Sequence, residues 1–379
     1  MPLPVARTYT NWVLPPELNP NAQFRAWPES ASIPLVRELI RRHAELPEYV
    51  LPRLSGTRAQ KNSTWKEYRN YVHQGLSYFD AALNVRDRSA TLLYYYASLN
   101  FAKAELIYTQ APAIMGQRIV HGLSYSPTWA KSLTGDFIRV QGNGVFPLLY
   151  EARTGQEMSR DQRLKISSLL SRVPEISTQL EDSKLGKTAL SPIFVMLAMN
   201  AKESWPLLLL FARPSEKSST GKLFYRFFRQ VQGNRPDWRD HFGLTRRLTA
   251  PTFFFESLLA TPRKGPNQLN LSGSLGAVWR IRQILARAPS DSADAWLCPS
   301  LYASRMLSMP SSLARYAAIF YASSLVRYRP SMFDPQTCPQ NAYLFDAVAR
   351  ECALPLLIDA LSGLEGCAQT FVPRDGLRL

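Results

Sequence analysis

"LLYYYASLNFAKAELI", Leu92 to Ile107, sets three consecutive tyrosines into an apolar run that carries one lysine and one glutamate. Leu92, Tyr95, Tyr96, Leu99, Ala102 and Leu106 recur at steps of three and four, which predicts an α-helix with a wide apolar stripe and Lys103 one step aside. Ser89 or Asp87 stands where an N-cap is expected. The tyrosines are expected to pack by their rings, with hydroxyls reaching polar partners. A platform for stacking nucleobases is the alternative use of the same rings.

The helical pattern recurs on both sides. Leu35, Leu39, Ile40 and Leu46 predict a helix from Ile33 to Tyr49, with Pro34 suited to the first turn. A second is expected from Ser63 to Leu83, capped by Ser63 or Thr64 with Glu67 near the reciprocal position. In "GDFIRVQGNGVFPLLYEA", two short β-prone runs flank Gly-Asn-Gly, which predicts a hairpin over about 136–150. Helical spacing returns in "SRDQRLKISSLLSRVPEI" and ends at Pro174, and 180–191 reads as a hinge or linker. "LYASRMLSMPSSLARYAAIFYASSLVRYRPSMF" predicts a late helix stopping at Pro330, and "NAYLFDAVARECALPLLIDALSGLEG" a last helix or pair bent near Pro355. The expected architecture is mainly α, a multi-helix, bundle-like body with a small β-hairpin element. An extended arm over 1–30, anchored by Trp12 and Trp27, precedes a helical region over 31–182 and a second over 190–379, the two being one domain or two.

At 379 residues and 46% hydrophobic composition the chain can bury a substantial core. Its longest apolar window, "SPIFVMLAMNAKESWPLLLLF", is broken by Lys202, Glu203 and Pro206, so it falls short of a membrane span and reads as buried core. The opening "MPLPVARTYTNWVLPP" lacks the apolar segment of a secretory signal, which points to the cytoplasm. Cys298, Cys338, Cys352 and Cys367 lie at intervals unlike zinc ligation and are expected as reduced thiols. The four histidines, His43, His73, His121 and His241, stand far apart, so no metal or other cofactor is expected. Phosphate-loop and nucleophile-elbow motifs are absent, and Gly-Asn-Gly does not have the order of a dinucleotide fingerprint.

The formal net charge of +16 makes polyanions the leading partner class, although arginine outnumbers lysine 34 to 11 and a GC-rich genome produces the same bias. The basic residues concentrate between Arg213 and Arg247. There Lys222, Arg226, Arg229, Arg235, Arg239, Arg246 and Arg247 alternate with Phe224, Tyr225, Phe227, Phe228, Trp238 and Phe242. Cations that meet phosphates beside rings that meet bases are the chemistry of a nucleic-acid groove, and Trp238 joins the cations as a candidate contact. A helix with aromatics inward and arginines solvated would have the same composition.

In order along the chain, "ATLLYYYASLNFAKAELI", "VHGLSY", "IRVQGNGVFPLLYEA", "SLARYAAIFYASSLVRYRPSMFD" and "LPLLIDALSG" resemble the landmarks of the YaaC family of bacterial proteins. The resemblance runs from about Ala90 to Gly363 and leaves out the first sixty residues and the 213–247 segment. It implies a bacterial, cytoplasmic, mainly helical protein, and it brings no established reaction and no catalytic residues. Asn100, Lys103, His121, Arg327 and Tyr328 are the polar positions within the matching landmarks.

One spacing carries possible chemistry. Arg37 and His43, in "RELIRRH", resemble the Arg-x4-6-His pattern of HEPN ribonucleases, where arginine steadies phosphate charge and histidine moves a proton. Three readings follow. The first is a non-catalytic YaaC-like protein that binds nucleic acid or an acidic protein partner within a bacterial complex of the phage-defence type. The second is a metal-independent endoribonuclease, and the third a protein scaffold with no nucleic-acid role.

Overall fold

The computed structural model describes residues 31–85, 88–115, 119–126, 132–199, 203–210, 228–231 and 309–366, together with Tyr225 and the short strands Asn11–Val13, Arg25–Trp27, Phe253–Ser257, Thr261–Pro262, Leu285–Arg287, Ala295–Leu297 and Gln369–Phe371. The described residues are mainly α-helical. The chain forms two compact units: Arg25–Ala189 with Ala288–Asp291 and Met309–Leu379, and Met1–Phe24 with Leu190–Arg287 and Ser292–Ser308.

The first unit carries the helices α1 (Ile33–Glu45), α2 (Arg58–Asn84), α3 (Ser89–Ile114), α4 (Val145–Thr154), α5 (Ile166–Leu170), α6 (Ser177–Asp182), α7 (Ser311–Tyr328), α8 (Pro339–Glu351) and α9 (Ala353–Glu365). Its antiparallel sheet has the order β1 (Leu123–Ser124), β2 (Phe137–Val140), β3 (Arg163–Lys165). Arg25–Trp27 and Gln369–Phe371 pair in parallel.

The tyrosine-rich stretch is the central helix. α3 packs against α2, α4, α7, α8 and α9, which buries most of its circumference. Tyr94 and Tyr95 are buried, while Leu92, Leu93, Tyr96, Leu99 and Lys103 are half-buried. α2 runs antiparallel to α3, with Phe79 on Tyr94 and Tyr68 on Tyr108 at ring separations of 5.3 and 5.4 Å. Gly75 permits this approach, because a Cβ there would lie 2.6 Å from the Phe101 ring.

α2 begins a turn earlier than Ser63. The Thr57 hydroxyl accepts from Gln60 N at 3.4 Å and the Gln60 side chain accepts from Thr57 N at 2.8 Å, a complete capping box. Pro355 does not bend the last helix. It sits in the first turn of α9, where a missing N–H costs little, and the break falls at Cys352. Cys338 and Cys352 are free thiols.

Two expectations are corrected. The hairpin over 136–150 is half right: Phe137–Val140 is a strand, but Val145–Thr154 is a helix, and β2 pairs with β1 and β3 instead. Gly144 is the extended N-cap, and the first N–H groups of α4 find carbonyl acceptors on another loop, so the apolar run can coil. The 190–379 region is not helical throughout. Ser191–Met199 and Glu203–Leu210 form an antiparallel hairpin within an 8-stranded sheet that also includes the strands at 228–231, 253–257, 285–287 and 295–297. Asn11–Val13 and Thr261–Pro262 complete it. Apolar runs of this length, bounded by turn residues and interrupted by Pro206, suit strands better than helices.

Candidate functional site

α3 aligns Tyr96, Asn100 and Lys103 at i, i+4 and i+7, on one face. α2 supplies a ring to each end of that face. Tyr78 stacks on Tyr96 at 5.3 Å with 30° between planes, and seven residues along each helix in opposite directions the Lys103 ammonium lies 5.2 Å from the centre of the Tyr71 ring. Asn100 is buried and donates to the Tyr96 carbonyl at 2.8 Å, so it serves the helix rather than the surface. Burial lowers the Lys103 pKa, and Glu67 opposes that shift. Burial, then Glu67, pushes the Tyr71 hydroxyl up to about 12.

His121 is held beside Tyr95, the residue next to Tyr96 on α3, through a backbone clamp. Val145 N donates to the Val120 carbonyl at 2.9 Å, Phe146 N to the His121 carbonyl at 3.1 Å, and Gln141 N to the Gly122 carbonyl at 2.9 Å. The His-Gly-Leu turn is thereby fixed to the start of α4. The His121 ring lies edge-on to Tyr95 at 6.3 Å and 5.6 Å from Phe320. Leu123 N donates to His121 Nδ1 at 3.4 Å, which leaves the hydrogen of the neutral ring on Nε2. Burial lowers the His121 pKa, and Arg327 and Lys103 lower it further.

Arg327 comes from the last turn of α7, where a cation meets unsatisfied carbonyls. Its Nε donates to the Ser323 carbonyl at 3.3 Å and its guanidinium lies 5.1 Å from the centre of the Tyr328 ring. Both side chains are exposed. Lys103, His121 and Arg327 are thus brought together electrostatically, Tyr328 flanks Arg327, and Asn100 lies beneath. Tyr71 and Tyr78 were not singled out from sequence. The signal that finds them is the antiparallel register of two long helices, which pairs 78 with 96 and 71 with 103.

Arg37 and His43 lie apart on α1. Arg37 donates from Nε and Nη2 to Asp80 at 2.7 and 2.5 Å. His43, 2% exposed, has Nε2 3.2 Å from Glu365 Oε1, which Arg42 also meets at 3.1 Å. The basic segment gives only Arg229, in the strand Phe228–Val231 with Glu256 as its register partner on the neighbouring strand. Lys222, Arg226, Arg235, Trp238, Arg239, Arg246 and Arg247 lie outside the described residues. Among the described residues, no group of three or more His, Cys, Asp or Glu side chains could hold a metal ion, and no helix is long and apolar enough to cross a membrane.

A buried ion network occupies the centre of the helical unit. Arg315, 1% exposed, donates to Asp359 and, at 2.6 Å, to Glu175, while Arg153 grips Glu105 at 2.9 and 2.5 Å. Burial works against the Arg315 charge, but the two carboxylates outweigh it and hold its pKa above the ordinary range. Beside them lies a cavity of about 30 Å³ lined by Ser98, Arg153, Arg315, Tyr316, Leu356 and Asp359, room for one or two waters.

No curated protein and no solved structure matches this chain. One family does, over the tyrosine-rich helix, the His-Gly-Leu clamp and α7, with a match spanning residues 46–337. The chain belongs to the YaaC-like protein family.

Proposed function

We propose that this chain is a non-catalytic nucleic-acid-binding protein that works as a cytoplasmic component of a bacterial complex, of the kind used in phage defence. The observation that carries the reading is the partly exposed Tyr78–Tyr96 ring pair with Lys103 seven residues along α3, beside His121, on which both Lys103 and Arg327 act electrostatically. The net charge of +16 and the basic residues Arg226, Arg229 and Arg239 support the same partner class. Affinity of this kind arises from counterion release and falls steeply with salt.

The test is fluorescence anisotropy with labelled RNA and DNA across a salt series. Binding should weaken as salt rises, and charge reversal at Lys103 and Arg327, or at Arg226, Arg229 and Arg239, should weaken it further and flatten the salt dependence. Absence of binding to either polymer at about 50 mM salt would overturn the reading, and salt-sensitive retention of an acidic protein instead would assign the cations to that partner. RNA incubated with the protein in EDTA should stay intact. Cleavage lost in His43→Ala would make the protein an endoribonuclease instead.

A further inference from the structure

We infer that the face bearing Lys103, His121 and Arg327 is a single-strand site, holding a backbone phosphate among these three side chains and an unpaired base on the Tyr78–Tyr96 pair. The inference rests on the nucleic-acid reading and narrows it to one form of the polymer.

The geometry favours a single strand for two reasons. First, cation and ring alternate on the same two helices. Lys103 and Tyr96 are seven residues apart on α3, about 10 Å along the axis, so a strand lying there would meet a positive group and a π-face in succession. Bases in a duplex are already stacked on one another and present no face to a tyrosine. Second, half of the platform is accessible. Tyr78 is 36% exposed and Tyr96 half-buried, and with their inner faces stacked on each other a base would add to the outer side of the pair. Stacking on such a surface tolerates any base, so binding should depend little on sequence.

The tautomer of His121 sets its role. With Nδ1 accepting from the Leu123 N–H, the neutral ring offers Nε2–H as a donor, and uptake of a proton at Nδ1 displaces the Leu123 N–H. The ring can hold a phosphate oxygen without first being protonated.

The experiment compares one labelled 20-mer RNA as a single strand and as a duplex, with the wild type and the variants Tyr78→Ala, Tyr96→Leu, Lys103→Gln, His121→Gln and Arg327→Gln, each checked for an unchanged thermal melt. The single strand should bind at least about tenfold more tightly than the duplex. Tyr78→Ala should cost about tenfold on the single strand and little on the duplex. Lys103→Gln and Arg327→Gln should each lower the slope of log affinity against log salt by about 0.7. Equal affinity for single strand and duplex, or single-strand binding untouched by Tyr78→Ala, would overturn this inference while leaving nucleic-acid binding in place. Failure of every nucleic acid to bind would overturn both.

Discussion

A Cβ atom on Gly144 would lie 2.1 Å from the Cα of Gly122. The two glycines belong to separate landmarks of the sequence, His-Gly-Leu and Gly-Asn-Gly, and their backbones touch because neither carries a side chain. Gly122 also holds φ at +84°, where a Cβ would meet Pro147 at 2.5 Å. The contact turns His121 toward Tyr95 and lets the Val120 and His121 carbonyls satisfy the first N–H groups of α4.

Gly144→Ala should therefore destabilise the protein by about 3 kcal/mol or more, since two backbones would have to separate. Gly155→Ala makes the contrast: it has φ +67° but open space around it, so only the left-handed conformation is penalised, by about 1 kcal/mol. Urea unfolding of the two variants measures the difference. Equal losses would mean that the Gly122–Gly144 approach does not hold the loop.

Arg315→Met should cost about 3 kcal/mol, because the half-buried Glu175 and Asp359 would be left without their cation. Replacing all three by apolar residues of similar volume should recover most of that loss. Urea unfolding of the single and triple variants checks this, and a triple variant no more stable than the single one would contradict it.

Gly363→Ala should act on the same network from α9. Its Cβ would fall 2.0 Å from Glu105 Oε2, displacing the carboxylate that holds the half-buried Arg153. A loss of about 2–4 kcal/mol is expected, and Glu105→Gln combined with Gly363→Ala should cost less than the two separate losses added together. Additive losses in a double-mutant cycle would contradict the coupling.

The sign of the pH dependence follows from the lowered His121 pKa. The folded chain resists protonation of this ring, so its contribution to stability is present above the ordinary value of 6.5 and is lost as pH falls through the lower folded value. A bound phosphate reverses the preference. Binding then takes up a proton, and affinity for single-stranded RNA should rise as pH falls from 7.5 toward the lower folded value. The titratable groups facing the ring are Tyr95 and Lys103 from α3 and Arg327 from α7. Tyr95 stays neutral throughout this range, since burial raises its hydroxyl pKa, so His121→Gln should flatten the rise. Anisotropy at several pH values is the measurement.

The helices were legible where period and breakers agree. α3 follows from the three- and four-residue spacing of Leu92, Tyr95, Leu99 and Leu106, and α7 ends at Tyr328, just ahead of Pro330. Val145–Thr154 was misread because its β-prone residues are helical only while Val120 and His121, distant in sequence, cap its N–H groups. The strands at 191–199 and 203–210 were missed for a related reason: a continuous apolar run has no alternation to mark it. At the site, sequence order supplied Lys103, His121 and Arg327. It could not supply Tyr71 and Tyr78, whose role depends on the register between α2 and α3. Nor could it separate Arg37 from His43, whose spacing is right but whose partners, Asp80 on α2 and Glu365 on α9, engage them in different places.

The most direct test of the account is the proton NMR spectrum of the four histidine rings during addition of a single-stranded RNA 20-mer, with His121 assigned by its loss in His121→Gln. The His121 signal should shift saturably and its pKa should rise in the bound state, while the His43 signal, buried against Glu365, stays in place. RNA that binds and leaves the His121 ring and its pKa unchanged would contradict the account.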